Sequence, residues 1–308
     1  MINSYISSEV QEIMNNYSHN NSGVNANLLR ILLHGKLKNT GKLLIFPVDQ
    51  GMEHGPLKSF ASNPDAFDPL YHINFAIEAG FNAYAAPLGM LQVASKYTGL
   101  IPCILKVNGS NLLTGGTDEP ESVIYSGIYD ALELGCAGIG LTIYPGSGKF
   151  NIMVERLKAL ISKAKKYGLL VVIWSYPRGG KLQKDDETSL DVIAYSAHIA
   201  SMLGADIVKV KLPTEYIAFD KKETTAALQG EIESLKNRVA LIKKSCFNGR
   251  RIVVFSGGGS KSTIDLINEI NAIKDGDGNG SILGRNVFQR PKNEALLLVN
   301  DIIDIYKK

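Results

Sequence analysis

The sequence predicts an α/β protein, a (β/α)8 TIM barrel with an N-terminal helical extension. Eight short apolar runs recur along the chain, and most are followed by an amphipathic segment typical of a helix. The runs are six to eight residues long and rich in β-branched or aromatic residues, as expected of parallel strands buried on both faces. An open Rossmann sheet is the alternative, but no G-x-G-x-x-G motif follows the first run.

The predicted strands all follow residue 40. They cover residues 43–48, 81–87, 102–108, 137–144, 169–176, 206–212, 251–258 and 281–288. Amphipathic segments that end in glycine, a frequent helix C-cap, cover residues 120–135, 151–168 and 188–204. Residues 1–40 contain two helical patterns, which we expect to cap the barrel base or to contact a neighbouring subunit. The expected organisation is a helical extension (1–40) and a catalytic barrel (41–308).

Composition narrows the class of protein. The hydrophobic fraction of 45% and the charged fraction of 20% are those of a soluble globular protein, and a net charge of +3 is too small to indicate a nucleic-acid partner. No apolar stretch approaches the roughly 20 residues that cross a bilayer, and no signal-peptide pattern opens the chain. Cys103, Cys136 and Cys246 are too widely spaced for a disulfide framework or a metal knuckle. We therefore expect a reduced, cytoplasmic protein without a membrane partner.

The segment DIVKVKLP, residues 206–213, carries the most informative pattern. Side chains alternate along a strand, so Ile207, Lys209 and Lys211 share one face. Two lysines on one face of a barrel strand are costly unless they face a ligand, pair with a carboxylate or lie at the rim. An amine that is desolvated beside a second cation loses part of its proton and becomes nucleophilic. The pattern predicts a nucleophilic lysine, and spacing alone leaves Lys209 and Lys211 both open.

Another predicted strand runs into WSYPRGG, residues 174–180. Alternation projects Trp174, Tyr176 and Arg178 together from the strand end. Tyrosine can act as a general acid or base, and arginine can hold a phosphate. A core tryptophan with a tyrosine at the rim is the alternative interpretation, so this motif alone indicates a site without establishing one.

The first predicted strand ends in PVDQGMEHG, residues 47–55. Asp49 continues the face that carries Leu43 and Ile45, where a carboxylate can orient a substrate hydroxyl or pair with a lysine. Lys106, near the end of the third strand, is a candidate partner for Asp49. His54 lies in the same loop and is a candidate substrate contact, although a single histidine is often structural.

The last two predicted strands end in motifs that suit an anion. FSGGGSKS, residues 255–262, is a glycine-rich turn that leads into a helical segment and offers backbone N–H groups. GRNVF, residues 284–288, ends the eighth strand with a glycine and an arginine. The loops after strands seven and eight form the recurrent phosphate site of barrel enzymes, so the two motifs together predict a bound phosphate.

Taken together, these motifs resemble those of the archaeal-type class I fructose-1,6-bisphosphate aldolases, which also occur in bacteria. The matching segments are PVDQGMEHGP, NAYAAPLGML, GLTIYPGS, WSYPRGG, GADIVKVKLP, SGGGSKS and ILGRNVFQR. They follow the family's order, each at a predicted strand end, from about residue 28 to the C-terminus. Gln50 stands where the family often has a histidine.

The resemblance implies roles for individual residues. Lys209, the first lysine of D-x-x-K-x-K, matches the Schiff-base lysine, Tyr176 matches the catalytic tyrosine and Asp49 matches the active-site aspartate. The implied substrate contacts are Trp174, Arg178 and His54, and the implied phosphate contacts are Ser256, Gly257, Gly258, Gly284 and Arg285. We expect Lys211 to act as a cationic neighbour of Lys209 or as a phosphate contact.

The implied activity is reversible cleavage of fructose 1,6-bisphosphate to dihydroxyacetone phosphate and glyceraldehyde 3-phosphate. This carbon–carbon lyase reaction of glycolysis and gluconeogenesis would use a lysine Schiff base and no cofactor. No metal is expected, because the five histidines are scattered rather than clustered. The expected partner is a phosphorylated sugar, and we expect a homo-oligomer. The alternatives are a related Schiff-base aldolase or transaldolase for another sugar phosphate, and a non-catalytic sugar-phosphate binder.

Overall fold

A barrel of eight parallel strands forms the centre of the computed structural model, which describes residues 5–114, 119–219, 223, 232–257, 259 and 261–308. The strands are β1 (Leu43–Pro47), β2 (Ala83–Pro87), β3 (Cys103–Lys106), β4 (Asn108–Gly109), β5 (Val123–Ile124), β6 (Gly138–Ile143), β7 (Leu170–Ser175), β8 (Ile207–Lys211), β9 (Ile252–Ser256) and β10 (Gly280–Ile282). The barrel closes in the order β1-β10-β9-β8-β7-β6-β3-β2, and β4 pairs with β5 in a separate antiparallel ribbon. The predicted (β/α)8 fold is confirmed.

Helices precede the barrel and alternate with its strands. They are α1 (Ser8–Asn16), α2 (Ser22–Leu32), α3 (Gln50–His54), α4 (Pro56–Phe60), α5 (Pro69–Ala79), α6 (Leu88–Val93), α7 (Ile128–Glu133), α8 (Phe150–Lys166), α9 (Leu190–Met202), α10 (Leu235–Ser245), α11 (Thr263–Asp275), α12 (Arg285–Phe288) and α13 (Lys292–Lys307). Short 3-10 turns occupy Pro64–Phe67, Ser95–Tyr97, Leu112–Thr114 and Asp186–Thr188. Within the described ranges, none of the helices is long and apolar enough to cross a membrane.

The alternation predicted for the lysine-bearing strand is present in β8. Ile207 belongs to the apolar cluster inside the barrel, whereas Val208 packs in the outer cluster beneath the helices. Lys209 and Lys211 lie on the Ile207 face because side chains alternate along a strand. In the β8–β9 register Lys211 is opposite Ser256, so both lysines lie towards the carboxyl-terminal end of the barrel.

Helices α1 and α2 pack across the amino-terminal end of the barrel. Val10 and Leu28 are fully buried in the same cluster as the inward side chains of the strands. The Tyr17 hydroxyl donates a hydrogen bond to the Asp206 carbonyl and accepts one from the Ile252 amide at 2.9 Å. Both partners lie where β8 and β9 begin, so this end of the barrel is covered and the carboxyl-terminal end carries the cavity described below.

The last barrel strand is shorter than the sequence suggested. The prediction of a strand over residues 281–288 is wrong, because β10 ends at Ile282 and α12 begins two residues after Leu283. Gly284, with φ −102° and ψ −90°, turns the chain at this point. The helical turn places the Phe288 ring 6.3 Å from Phe46 and 5.7 Å from Phe60. The apolar residues of this segment therefore serve ring packing in a helical turn. Composition alone does not distinguish such a turn from a strand.

The helices predicted over residues 151–168 and 188–204 form as α8 and α9, but only the second half of 120–135 is helical. Residues before it contribute β5 instead. The Gly127 amide donates to the Asp130 carboxylate at 2.7 Å, which caps the amino terminus of α7 and fixes where the helix starts.

Candidate active site

A cavity opens to solvent at the carboxyl-terminal end of the barrel. Every site residue predicted from the sequence lines it except Trp174 and Gly258, and Gly258 is outside the described residues. The lining consists of Pro47, Asp49, Gln50, Glu53, His54, Tyr176, Arg178, Lys209, Lys211, Ser256, Gly257, Ile282, Leu283, Gly284, Arg285 and Asn286. The ends of five strands therefore bring together residues that are far apart in the chain.

Lys209 lies deep in this cavity and is 5% exposed. Its Nζ donates a hydrogen bond to the Tyr176 hydroxyl. Burial lowers the pKa of Lys209 to about 7; the Asp49 carboxylate opposes this shift, and the cations Lys106 and Arg285 add to it. A large fraction of this amine is therefore neutral and nucleophilic near pH 7.

Tyr176 follows β7 and faces Lys209, whose Nζ is 4.7 Å from the centre of the phenol ring. Burial raises the pKa of Tyr176 well above its ordinary value, and the carboxylates of Glu53 and Asp49 raise it further. The phenol is thus protonated at neutral pH. A buried, protonated hydroxyl beside an amine is suited to donating a proton during carbonyl chemistry.

Another wall is formed by the end of β1 and by helix α3, and Lys106 of β3 lies beside it. Asp49 Oδ2 lies 3.5 Å from Lys106 Nζ, the pairing that the sequence suggested. Glu53 contacts two cationic or titratable groups, Arg178 Nη1 at 3.5 Å and His54 Nε2 at 3.8 Å. Burial lowers the pKa of His54, while Glu53 opposes the shift. Two carboxylates therefore face the lysine and tyrosine across the cavity.

Trp174 lies beneath the cavity rather than in its lining, and it is 1% exposed. The centre of its indole ring is 5.6 Å from Lys209 Nζ and 5.5 Å from Lys106 Nζ. A Cβ at Gly140 would lie 2.6 Å from an indole carbon, so glycine at this position leaves room for the ring. The geometry gives Trp174 contacts with both lysines.

Lys211 has a partner that the sequence did not reveal. Its Nζ lies 2.9 Å from Glu187 Oε2, which also accepts from Lys184 Nζ at 3.0 Å. Arg178 Nε is 3.8 Å from the same oxygen. Glu187 is 9% exposed, in the loop that follows β7. In the sequence, Glu187 belongs to an ordinary run of charged residues. Only its place after a barrel strand indicated a role at the site.

The two glycine-bearing loops lie side by side at the cavity edge. Ser256 ends β9 and Gly257 follows it, while Gly284 follows β10. A Cβ at Gly284 would lie 2.8 Å from the Pro47 carbonyl, so only glycine allows the chain to pass this close to β1. Both loops contribute residues to the cavity lining.

Asn286, which the sequence analysis did not single out, links these two loops. Its side-chain oxygen accepts from the Lys261 amide at 2.8 Å, and its Nδ2 donates to the Gly259 carbonyl at 3.0 Å. Helix α11 begins after Ser262, whose hydroxyl accepts from the Asp265 amide at 3.1 Å. The Gly259 carbonyl and the Lys261 amide are thus held by a side chain from the neighbouring loop.

A neutral buried lysine, a protonated tyrosine and two carboxylates at the carboxyl-terminal mouth of a (β/α)8 barrel are typical of enzymes that form a Schiff base with a carbonyl substrate. Among the described residues, no group of three or more His, Cys, Asp and Glu side chains has the geometry to hold a metal ion.

The chain belongs to the DeoC/LacD family of aldolases, whose model matches residues 43–290, the span from the first barrel strand to just past α12. The protein is therefore an aldolase, a carbon–carbon lyase. The family suggested by the sequence motifs is confirmed.

Two curated relatives are similar over most of their length. The probable class 1 fructose-bisphosphate aldolase of Chlamydia muridarum is 35% identical over 302 residues, 94% of this chain and 86% of that protein. The class 1 fructose-bisphosphate aldolase of Thermoproteus tenax is 37% identical over 251 residues, 81% of this chain and 84% of that protein.

A solved structure shares the fold. It is an archaeal fructose-1,6-bisphosphate aldolase whose catalytic lysine is covalently bound to the carbinolamine intermediate of its substrate. It is 33% identical to this chain, with a TM-score of 0.74, and the match covers 87% of this chain and 95% of that one.

Proposed function

We propose that the protein is a class I fructose-bisphosphate aldolase, which reversibly cleaves fructose 1,6-bisphosphate to dihydroxyacetone phosphate and glyceraldehyde 3-phosphate without a metal or cofactor. The observation that carries the proposal is the buried Lys209, hydrogen-bonded to Tyr176 and with a pKa of about 7. The relatives at 35% and 37% identity support the choice of substrate.

Lys209 begins the reaction as a neutral amine that attacks the C2 carbonyl of the ketose. Tyr176 donates its proton to the C2 hydroxyl of the resulting carbinolamine, which leaves as water and gives an iminium ion. The raised pKa of Tyr176 suits this step, because the phenol must keep its proton until the carbinolamine has formed. The iminium charge then stabilises the neighbouring tyrosinate.

The tyrosinate next accepts the proton of the C4 hydroxyl while the C3–C4 bond breaks. The bond's electrons move into the iminium, which leaves an enamine and releases glyceraldehyde 3-phosphate. Tyr176 then protonates C3, and water hydrolyses the imine to release dihydroxyacetone phosphate and regenerate Lys209. Asp49, across the cavity, orients the substrate hydroxyls and raises the pKa of Lys209 against the effect of burial.

The substrate phosphates bind at the cavity edge. Ser256, the glycine-rich turn (Gly257 and Gly258) and Gly284 with Arg285 hold the phosphate nearest the carbonyl, which keeps C2 in register with Lys209. The remaining contacts to the sugar and its second phosphate come from His54, Arg178 and Lys211, which line the cavity, while Trp174 supports Lys209 from beneath. Arg178 is held at the cavity by two carboxylates, with Nη1 3.5 Å from Glu53 and Nε 3.8 Å from Glu187.

Replacing Arg285 with alanine is expected to lower kcat/KM for the bisphosphate by about 10- to 100-fold, the scale of a lost charge-assisted hydrogen bond. The loss for fructose 6-phosphate, which lacks the 1-phosphate, is expected to stay within about threefold. Lys292→Ala, a surface change on α13, serves as the control. Equal losses for both substrates place Arg285 in a structural role.

Chelation tests the imine chemistry against metal catalysis. We expect full activity after dialysis into excess EDTA, because a lysine Schiff base supplies the electron sink that a metal supplies in other aldolases. The assay compares initial rates before dialysis, after it, and after zinc is added back. Activity that disappears with EDTA and returns with zinc contradicts the proposal.

A related Schiff-base reaction on another sugar phosphate is the second candidate. It is favoured by a relative from Methanocaldococcus jannaschii, 31% identical over 277 residues, which is named fructose-bisphosphate aldolase/6-deoxy-5-ketofructose 1-phosphate synthase. A panel of phosphorylated ketoses and aldehydes, assayed on the purified protein, decides between the two. Borohydride trapping separates both enzymes from a non-catalytic sugar-phosphate binder, which forms no covalent adduct.

We further propose that the enzyme acts in the cytoplasm, in glycolysis and gluconeogenesis, as a homo-oligomer. Its three cysteines are free and buried, which suits a reducing compartment. Residues 1–40 form the helical extension and residues 41–308 the catalytic barrel; light scattering on the protein with and without the extension tests whether the extension takes part in assembly.

A further inference from the structure

A second buried lysine, Lys106, lies next to the proposed active site and has no part in the reaction steps above. It ends β3 and is 2% exposed. Its Nζ lies 2.5 Å from the Asn108 carbonyl, 2.7 Å from Thr142 Oγ1 and 3.5 Å from Asp49 Oδ2. These contacts offset the cost of burying the amine.

The contacts of Lys106 favour its charged form. An ammonium has three N–H donors, and Lys106 has three oxygen acceptors around it, one of them a carboxylate. Burial lowers the pKa of Lys106, and Asp49 is the largest influence that raises it. Lys209 differs, because its hydrogen-bond partner is the hydroxyl of Tyr176, which is also able to donate to a neutral amine.

Both lysines lie close to one aromatic ring. The Trp174 indole centre is 5.5 Å from Lys106 Nζ and 5.6 Å from Lys209 Nζ. Lys106, Lys209 and Trp174 are 2%, 5% and 1% exposed, so little water screens the repulsion between charges on the two amines.

Several charged groups face Lys209 from the surrounding strands and loops. Asp49 and Glu53, from the β1–α3 segment, favour its protonated form, whereas Lys106 from β3 and Arg285 from α12 disfavour it. On β8 itself, Lys211 is already paired with Glu187. Among these groups Lys106 is the buried cation that touches the same indole as Lys209.

We propose that Lys106 is a positioning residue whose fixed ammonium adds to the effect of burial and favours the neutral, nucleophilic form of Lys209. The inference rests on the proposed function, since it takes Lys209 as the Schiff-base lysine. The same ammonium acts after the imine has formed. It disfavours positive charge on the iminium nitrogen and so favours the flow of the C3–C4 electrons into the neutral enamine.

The test is the pH dependence of adduct formation. Dihydroxyacetone phosphate and cyanoborohydride trap the Schiff base, and the rate is measured from pH 5.5 to 10 for wild type, Lys106→Met and Lys106→Gln. Removing a cation stabilises protonated Lys209, so the midpoint of the rate profile is expected to rise by about one pH unit in both variants. Above the new midpoint the trapping rate is expected to return to within about threefold of wild type.

Thr142→Val is the matched control, because it removes one acceptor of Lys106 but keeps the ammonium. Its midpoint is expected to stay within about 0.3 pH unit of wild type. A merely structural role for Lys106 lowers trapping at every pH and leaves the midpoint in place, and that result overturns the inference. Wild-type protein that forms no adduct at any pH instead overturns the proposed function, and the inference with it.

Discussion

Substitution of Lys209 by alanine is expected to abolish Schiff-base trapping and to lower kcat by more than about 10⁴-fold, since the covalent step is lost entirely. In the wild-type protein, incubation with dihydroxyacetone phosphate and borohydride followed by peptide mass spectrometry is expected to locate the three-carbon adduct on Lys209. Lys211→Ala is the matched variant, on the same strand face two residues further along, and it is expected to retain trapping at a reduced rate.

The environments of the two lysines explain this expectation. They are about 6–7 Å apart along the strand. Lys209 is the deeper one, 5% exposed with a pKa of about 7, so much of it is neutral at physiological pH. Lys211 lies 2.9 Å from Glu187, an ion pair that favours the charged and unreactive ammonium. An adduct on Lys211 contradicts the assignment, and an adduct on neither lysine contradicts the mechanism.

Replacing Tyr176 with phenylalanine is expected to lower kcat by about 10²-fold or more, the scale of a general acid–base contribution. The phenol ring that packs beside Lys209 remains, so the fold and the binding of dihydroxyacetone phosphate should change little. The substitution removes only the hydroxyl that donates a proton to the carbinolamine hydroxyl and later accepts one from the C4 hydroxyl. Steady-state kinetics with fructose 1,6-bisphosphate measure the effect.

Tyr144→Phe gives the comparison for this prediction. Tyr144 is also a buried tyrosine near Glu53, but its hydroxyl is 2.8 Å from Ser110 Oγ and it is not in the lining of the main cavity. Its loss is expected to lower kcat by less than about fivefold. Near-normal turnover in Tyr176→Phe transfers the acid–base role to another group, of which Asp49 is the nearest candidate across the cavity.

Sequence reasoning was sufficient for those features that depend on alternation along strands. Period-two patterning identified the face of β8 that carries Lys209, and the order of strand ends placed Asp49 near Lys106. Because Ser256 and Gly284 follow the last two strands of the barrel, the sequence also predicted that they lie at one edge of the cavity.

Features that depend on loop conformation were not predictable in the same way. Glu187 reaches Lys211 because the loop after β7 folds back over the barrel mouth, and no residue pattern encodes that path. Asn286 contacts the glycine-rich turn through two side-chain hydrogen bonds whose partners are more than 20 residues away. Phe288 lies in a helix rather than a strand because of ring packing against distant aromatic side chains.

The covered amino-terminal end of the barrel has a consequence for the path of the reactants. Tyr17 bridges the starts of β8 and β9, and the cavity that the described residues line opens at the opposite end. In the proposed reaction, we therefore expect substrate and products to pass through the carboxyl-terminal mouth. Glyceraldehyde 3-phosphate is the first product that the proposed steps set free, so its departure is expected to open this mouth to the water that hydrolyses the imine.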